Sequence, residues 1–273
     1  MRLSLKESRI SVIIPAKNSE RTIGKCLRSV FNQEYPPHEV IVVDGGSTDK
    51  TRSVAEKNHA RVVVEPPHKR SAPGIGRNHG AKSAHGDILA FLDSDCYPER
   101  TWLDLVVDIF KDPQVGMYSI VVSDGTGKII SRAYHYLHMK ISYDFAPSRC
   151  MAVRREPFMQ VKGFDETLTT GEDNDLSYRV RQLGYRIIVD KESKVYHDDD
   201  HMTNLKGIWR QQVWYRESEE EMRRRYPDKF RKFRTTYPLK EHLMPLIKSI
   251  RFGVRFASVC LIIKILSVWR HVY

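Results

Sequence analysis

An apolar segment that ends in two closely spaced carboxylates constrains the fold of this chain more than any other feature. Residues 87–92, Asp-Ile-Leu-Ala-Phe-Leu, run directly into Asp93 and Asp95. A short apolar run of this kind is typical of a strand buried on both faces of a parallel sheet. Ligands of open α/β sheets bind beyond the carboxyl ends of the strands. We therefore expect Asp93 and Asp95 to lie at a ligand-binding edge.

The spacing of these two carboxylates suits a divalent cation. Side chains two residues apart in an extended chain point to the same side. Carboxylate oxygens are ligands for Mg²⁺ or Mn²⁺, which usually bridges to substrate phosphates. Asp93 and Asp95 alone are weak evidence, because chance pairs of acids in loops are common. The neighbouring segments have to decide between the two interpretations.

The N-terminal part of the chain alternates between apolar runs and helical spacing. Strands are predicted at residues 10–15, 40–43 and 61–64 and in the run that ends at Asp93, with helices at 22–33, 51–57 and 75–83 between them. This βαβαβ order predicts an α/β fold with a parallel sheet of the nucleotide-binding type.

The second half of the chain is less regular. Strands are predicted over residues 116–131 with a turn at 124–127, and at 150–153, 186–189 and 194–197; helices are predicted at 157–161, 174–183 and 205–225.

Three acids, Glu172, Asp173 and Asp175, stand at the start of the helix predicted at 174–183. The helix dipole favours acidic residues at this end, so capping is the simpler interpretation. One carboxylate suffices for a cap, however, and mutual repulsion among three raises at least one pKa, which can provide a general base. Both interpretations stay open on the residues alone.

Charge and composition narrow the class of partner. The 273-residue chain has a net charge of +11, which favours nucleotide phosphates, a membrane surface or nucleic acid as a partner. No apolar run reaches the roughly 18 residues of a membrane-spanning helix, and the N-terminus lacks the apolar stretch of a signal peptide. The four scattered cysteines are expected to be reduced thiols of a cytosolic protein.

The C-terminal region, residues 236–273, forms a basic and apolar tail after an expected main domain over residues 1–235. Residues 256–269 are nearly all apolar, interrupted by Lys264, and basic residues dominate the region. These properties suit an interfacial helix attracted to anionic lipid. The alternative is that the tail packs on the main domain or on a second copy of the chain.

Several segments, taken in order, resemble the inverting family-2 glycosyltransferases of the GT-A fold over roughly residues 8–225. The matching segments are residues 12–18, 42–51 and 76–95 on the donor side, and 151–155, 163–166 and 171–173 on the acceptor side. The resemblance implies a Rossmann-like mixed sheet flanked by helices, followed here by C-terminal basic amphipathic helices. Such a fold implies a nucleotide-diphosphate sugar as donor and Mn²⁺ or Mg²⁺ as cofactor.

The resemblance also assigns roles to residues on the donor side. Asp44 contacts the nucleobase, and Pro15 and Asn18 line the base and ribose pocket. Asp93 and Asp95 hold the metal and the ribose-diphosphate, which makes Asp93 both a nucleotide ligand and a metal ligand.

Three further residues receive roles in the same way. Asp173 is the catalytic base, with Glu172 beside it. Arg77 matches a basic position near the donor, with a solvated helix residue as the alternative. His197 follows a strand where related enzymes can have a histidine near the metal or the diphosphate.

The implied reaction is an inverting transfer from a UDP- or GDP-sugar to a hydroxyl acceptor, such as a lipid-linked or surface glycan precursor. With the basic tail, it implies a cytoplasmic enzyme peripheral to the inner face of the membrane. The alternatives are a polyprenyl-phosphate sugar synthase and, less favoured, a non-catalytic sugar-nucleotide-binding protein. Nucleic-acid binding is not expected, because no recognised module accompanies the basic charge.

The chain departs from the family pattern at several positions. Gly45 stands where a second acid usually follows the first, which leaves the choice of nucleobase open. Residues 211–214, Gln-Gln-Val-Trp, lack the arginine of the processive motif, so transfer of one sugar is favoured. Residues 198–201 form either a second cation site or a solvated loop. The aromatic residues Trp209, Trp214 and Tyr215 form either the floor of an acceptor site or part of the core.

Overall fold

A computed structural model of the chain describes residues 8–67, 72–122, 129–138, 145–198, 204–228, 249, 258–263 and 265. Its centre is a seven-stranded sheet with the strand order β3-β2-β1-β4-β7-β6-β8, accompanied by a two-stranded sheet of β5 and β9.

The N-terminal half follows the predicted βαβαβ order. The strands are β1 Ile10–Ala16, β2 Glu39–Asp44, β3 Arg61–Val64 and β4 Ile88–Leu92, and the helices between them are α1 Ile23–Phe31, α2 Thr51–Lys57 and α3 Pro73–Ser83. All neighbouring pairs among these four strands are parallel. Their carboxyl ends therefore meet at one edge of the sheet, as the sequence predicts.

The second half completes a mixed sheet. The remaining strands are β5 Cys96–Pro98, β6 Val115–Ile120, β7 Cys150–Arg154, β8 Arg186–Asp190 and β9 Val195–His197; the remaining helices are α4 Trp102–Ile109, α5 Ile129–His138, α6 Arg155–Gln160, α7 Glu172–Gln182 and α8 Leu205–Arg225. Strand β7 runs antiparallel to both of its neighbours, β4 and β6, whereas β8 is parallel to β6.

Of the strands predicted over residues 116–131, the part up to Ile120 is confirmed, and the prediction is wrong from Ile129 onward. Strand β6 ends at Ile120, and Ile129 begins helix α5. Ile130, Ala133 and Leu137 recur at helical spacing and belong to one apolar cluster, which is what stabilises a helix here. The turn predicted at residues 124–127 lies outside the described residues. Strand β5 and helix α4 were not predicted.

Two apolar layers cover the faces of the large sheet. Along β1, Val12 and Ile14 pack toward α1, while Ile13 packs in the cluster on the opposite face. Helix α3 lies very close to this second face, since a Cβ at Gly80 would sit 2.8 Å from Val43 Cγ2. A glycine at this point therefore sets the distance between α3 and the sheet.

The described part of the C-terminal tail packs on the main domain. Cys260 and Ile263 are buried in one cluster with Tyr134 of α5 and Ile208 of α8. The exposed side of this segment carries three large aliphatic side chains, Leu261, Ile262 and Ile265. None of the helices that the structure describes is long and apolar enough to cross a membrane. The boundary at residue 235 stays a prediction, because most of the tail lies outside the described residues.

Candidate active site

The predicted nucleobase residue Asp44 ends strand β2 and is fully buried. Its Oδ2 accepts a hydrogen bond from Arg52 Nη2 at 2.7 Å, and its Oδ1 accepts one from the backbone N–H of Ser47 at 3.1 Å. Burial acts to raise the pKa of Asp44, but these hydrogen bonds outweigh it and lower the pKa. Asp44 is therefore an ionised carboxylate that is enclosed by Arg52 and the Ser47 N–H at the end of β2.

The loops that follow β1 and β2 are tied together beside Asp44. Asn18 adopts a left-handed backbone conformation with φ of 52°. Its Oδ1 accepts the backbone N–H of Thr48 at 2.9 Å, and its own N–H donates to Ser47 Oγ at 3.0 Å. Pro15 pairs with Val43, one residue before Asp44, across the strand register. The structure thus brings Pro15, Asn18 and Asp44 to one place.

Arg77 is buried between two carboxylates, so the alternative of a solvated helix residue is wrong. The residue is 4% exposed and lies on α3. Nη2 donates to Asp93 Oδ1 at 2.7 Å, and Nη1 donates to Glu172 Oε1 at 3.1 Å. Arg77 Nε is buried and has no hydrogen-bond partner among the described residues. The Arg77 guanidinium therefore connects Asp93, which follows β4, with Glu172 in the first turn of α7.

The two predicted metal ligands at the end of β4 have different partners. The strand ends at Leu92, and the carbonyl of Asp93 accepts the N–H of Cys96 at 2.9 Å, so Asp95 lies in a turn and not in extended chain. The turn brings Asp95 Oδ2 to 3.3 Å from His197 Nε2. Asp93 instead contacts Arg77.

Three side chains offer ligand atoms for a cation at this turn. Cys96 and His197 are cross-strand partners in the small sheet. One ligand atom each of Asp95, Cys96 and His197 lies within 4.8 Å of the other two. Carboxylate oxygen and imidazole nitrogen suit Mn²⁺, and a thiol is a softer ligand that suits Zn²⁺. These three ligand atoms therefore fit a divalent cation. Asp93 stands at the start of the same turn.

Charge around the turn keeps Asp95 ionised. Burial acts to raise the pKa of Asp95, but the hydrogen bond and charge of His197, together with the charge of Arg149, outweigh it and lower the pKa. The carboxylate that a cation needs is therefore present without the cation.

The predicted base Asp173 lies in the first turn of α7. Its Oδ2 accepts the backbone N–H of Ser148 at 3.1 Å, and its Oδ1 accepts that of Asn174 at 2.8 Å. Burial raises the pKa of Asp173, although the Ser148 N–H and the charges of Arg77 and Arg149 oppose the shift. A half-buried carboxylate with a raised pKa is suited to accept a proton.

Glu172 shares the environment of Asp173, whereas Asp175 does not. Burial and the charge of Asp173 raise the pKa of Glu172 to about 7. Asp175 instead binds Arg179 Nη2 at 2.5 Å and the Tyr226 hydroxyl at 2.6 Å. The expectation that all three acids repel one another is therefore wrong for Asp175, because a neighbouring cation neutralises it.

Several residues at the site were missed by the sequence reasoning. Ser148 and Arg149 precede β7, and the Arg149 carbonyl accepts the Asp93 N–H at 2.9 Å. The charge of Arg149 lowers the pKa of Asp95 and opposes the upward shift at Asp173. His135 of α5 is buried, with its ring 6.1 Å from that of His197. The tyrosine- and histidine-rich composition of this segment was the available signal.

Two open alternatives have partial outcomes. Asp198 binds Arg21 Nη1 at 2.8 Å, and residues 199–201 lie outside the described residues. Trp209 is 39% exposed and so does not belong to the core. The side chains of Trp214 and Tyr215 are outside the described part of the structure, so the acceptor floor stays a prediction.

A family model described as glycosyl transferase family 2 matches residues 11–166. The chain belongs to this family. It is 30% identical over 236 residues to the pre-mycofactocin glycosyltransferase of Mycobacterium tuberculosis, covering 81% of this chain and 48% of the relative. It is 31% identical to the glycosyltransferase AglE of Haloferax volcanii, with 65% of this chain and 63% of the relative covered. The chain thus spans about half the length of the first relative and less than two thirds of the second.

Solved structures agree on the fold. The mannosyltransferase PcManGT from Pyrobaculum calidifontis, in complex with GDP-Man and Mn²⁺, has a TM-score of 0.65 at 17% identity, covering 97% of this chain and 88% of that one. Glucosyl-3-phosphoglycerate synthase from Mycobacterium tuberculosis, with Mn²⁺ and UDP, has a TM-score of 0.57 at 21% identity, with 80% of each chain covered. The mixed sheet is therefore that of the GT-A glycosyltransferases, as the sequence predicts.

The raised pKa of Glu172 predicts how stability depends on pH. Glu172 titrates near 4.5 when unfolded and near 7 when folded, so between these values the native state holds a proton that the unfolded chain has lost. This contribution to the free energy of unfolding is present below pH 4.5 and is lost as pH rises to 7, by about 3 kcal/mol at most. Glu172→Gln cannot ionise and should lose this decline.

Urea unfolding of the wild type and of Glu172→Gln at several pH values between 4.5 and 8 gives the free energy of unfolding of each protein as a function of pH. Exposed Glu34→Gln is the control and should follow the wild type. Parallel curves for the wild type and Glu172→Gln would contradict the assignment.

Proposed function

We propose that this family-2 glycosyltransferase moves one sugar from a UDP- or GDP-sugar to a hydroxyl of a lipid-linked or surface glycan precursor, with inversion at the anomeric carbon. The observation that carries the proposal is Arg77, which binds the donor-side Asp93 and the acceptor-side Glu172 at once. A donor site and a base that share one buried guanidinium are close enough to act on the same bond.

The nucleotide is held at the edge of β1 and β2. Asp44 supplies a carboxylate that accepts an N–H of the nucleobase, and the loop of Pro15 and Asn18 covers the base and ribose. Arg77 Nε, buried and without a protein acceptor in the described structure, is available to an oxygen of the donor. The structural neighbours that were solved with GDP-Man and UDP support a nucleotide-sugar donor.

Asp95 and His197 would hold a divalent cation, with Asp93 beside them. When bound, Mn²⁺ or Mg²⁺ offsets the negative charge that develops on the leaving diphosphate. Mn²⁺ in the neighbouring structures supports this cofactor. Arg149 adds a fixed positive charge near Asp95.

Asp173 takes the proton of the acceptor hydroxyl as its oxygen attacks the anomeric carbon and the bond to the diphosphate breaks. Two backbone N–H groups fix the direction of this carboxylate, and burial makes it more basic than an exposed aspartate. Glu172 lies beside Asp173 and accepts a hydrogen bond from Arg77. This contact holds the guanidinium in position. A single displacement inverts the configuration without a covalent intermediate.

A polyprenyl-phosphate sugar synthase is the second candidate. Arg149 favours it, because a cation near Asp173 suits an acceptor that carries a phosphate. An ionised phosphate needs no base, so the two candidates differ in their dependence on Asp173. A non-catalytic binding protein is disfavoured, because Asp95 lies beside His197 and the pKa of Asp173 is raised.

The enzyme is expected to act in the cytoplasm at the inner face of the membrane. The tail is basic, and Leu261, Ile262 and Ile265 expose 48%, 39% and 47% of their surface next to one another. Aliphatic side chains in a basic segment suit the interface of an anionic bilayer.

Asp95→Ala should abolish the metal dependence of nucleotide binding. The wild type should bind GDP or UDP more tightly with Mn²⁺ than without it in calorimetry, and the variant should show one weak affinity in both conditions. Folding should hardly change, because the carboxylate lies in a turn after the strand. Asp108→Ala is the control, since Asp108 is exposed on α4 and pairs with Lys111. A wild-type affinity that ignores Mn²⁺ would contradict the metal site.

Asp173→Asn should keep donor affinity and lose transfer to a hydroxyl by roughly a hundredfold or more, the usual weight of general-base catalysis. The asparagine keeps the size of the side chain but cannot take the proton. Asp175→Asn is the matched control, because Asp175 is held by Arg179 on the same helix. A mild effect favours the phosphate acceptor, and normal turnover on a proven hydroxyl acceptor means that the base is elsewhere.

Replacing Leu261, Ile262 and Ile265 together with serine should abolish co-sedimentation with anionic liposomes while donor binding persists. The substitutions leave Cys260 and Ile263 in their cluster, so the tail stays packed. The matched control replaces Phe31, Val64 and Met159, which are 45%, 52% and 47% exposed elsewhere on the surface. Equal liposome binding by the tail variant and the wild type would show that the tail has a purely structural role.

A further inference from the structure

The carboxylate of Glu65, the residue after β3, lies beside Gly45, the position where the family pattern has a second acid. Glu65 Oε2 lies 3.6 Å from the point that a Cβ at Gly45 would take, and 2.9 Å from the Cβ point of Gly76. A side chain at Gly76 would therefore push the Glu65 carboxylate aside. Gly76 leaves room for the observed position of this carboxylate.

The backbone fixes Glu65 at the end of β3. Val64 pairs with Asp44 in the sheet, and the N–H of Glu65 donates to the Asp44 carbonyl at 2.9 Å. The Cβ point of Gly76 is also 3.5 Å from Pro15 Cβ, so the Glu65 carboxylate lies close to Pro15. Glu65 consequently borders the pocket formed by Pro15, Asn18 and Asp44.

We propose that Glu65 is the second carboxylate of the nucleobase pocket and makes this pocket select guanine over uracil. The inference rests on the proposed function, because it takes Asp44 as the residue that meets the base. It deepens that function by choosing between GDP- and UDP-sugars.

The chemistry of the pocket matches one base edge better than the other. Arg52 is a donor, and Asp44 and Glu65 are acceptors, with Arg52 and Asp44 already 2.7 Å apart. Guanine offers one acceptor, O6, next to two donors, N1–H and the 2-amino group. Uracil offers a single N–H between two carbonyl oxygens, so a second carboxylate would face a lone pair. A site built to bind a donor group rejects an analogue that lacks it.

A contact between Glu65 and the ribose hydroxyls is the competing explanation. It would strengthen every nucleotide equally and would give no preference among bases. The 2-amino group of guanine separates the two cases, because inosine has the same O6 and N1–H without it.

Calorimetry of GDP, IDP and UDP in the presence of Mn²⁺ tests the assignment on the full chain. The wild type should bind GDP about tenfold or more tightly than IDP or UDP, the usual effect of one hydrogen bond to a charged group. Glu65→Met keeps the size of the side chain but has no acceptor oxygen. It should bind GDP and IDP alike, with UDP affinity unchanged or increased. Glu65→Ala should agree, and exposed Glu34→Gln should match the wild type.

Three results would overturn the inference. In the first, wild-type UDP affinity equals or exceeds GDP affinity. In the second, Glu65→Met weakens all three nucleotides by the same factor, which assigns Glu65 to the ribose. In the third, no nucleotide binds the wild type with Mn²⁺, and the proposed function fails together with the inference.

Discussion

The buried guanidinium of Arg77 is the interaction on which the rest of the site depends. It is almost fully enclosed and binds Asp93 and Glu172 with two different nitrogens. Removing one member of such a group leaves an uncompensated buried charge, which typically costs about 3–5 kcal/mol. Gly80 lies one turn further along α3 and allows this helix to pack directly on Val43. The close packing brings Arg77 to the edge of the sheet.

The balance of charge around Arg77 explains the behaviour of its neighbours. Asp93, Glu172 and Asp173 bring three carboxylates toward one guanidinium, and Arg149 adds a second cation. Because burial outweighs these cations at Glu172 and Asp173, their pKa values rise. At Asp95 the order is reversed, since His197 and Arg149 outweigh burial. The surroundings therefore shift the pKa values of these carboxylates in opposite directions. A raised pKa suits a proton acceptor, and a lowered pKa suits a metal ligand.

Local patterns in the sequence predicted those parts of the fold that local interactions determine. Strands β1, β2 and β4 are mostly apolar and buried because layers cover both faces of the sheet, and this pattern is visible in the sequence. Strand β5 was not visible, because Cys96–Pro98 is held by pairing with β9, about a hundred residues away. The motifs placed Arg77 and Asp173 near the site, but no pattern shows that Arg77 also contacts Glu172. Glu65 was missed for the same reason, since its position beside Pro15 depends on the absence of a side chain at Gly76, which is distant in the sequence.

The antiparallel pairing of β7 with β4 has a mechanical consequence. Leu92 pairs with Cys150, and the Asp93 N–H extends the ladder to the Arg149 carbonyl, so the residues before β7 that hold Asp173 are fastened to the strand that carries the donor acids. Asp93 and the segment that holds Asp173 therefore adjoin neighbouring strands of one continuous sheet. Neighbouring strands lie roughly 4.8 Å apart. The pairing of β4 with β7 therefore helps to set the distance between Asp93 and Ser148, whose N–H binds Asp173. If Asp93 and Asp173 act as proposed, a change of acceptor preference would have to arise in the connections beyond the strand ends.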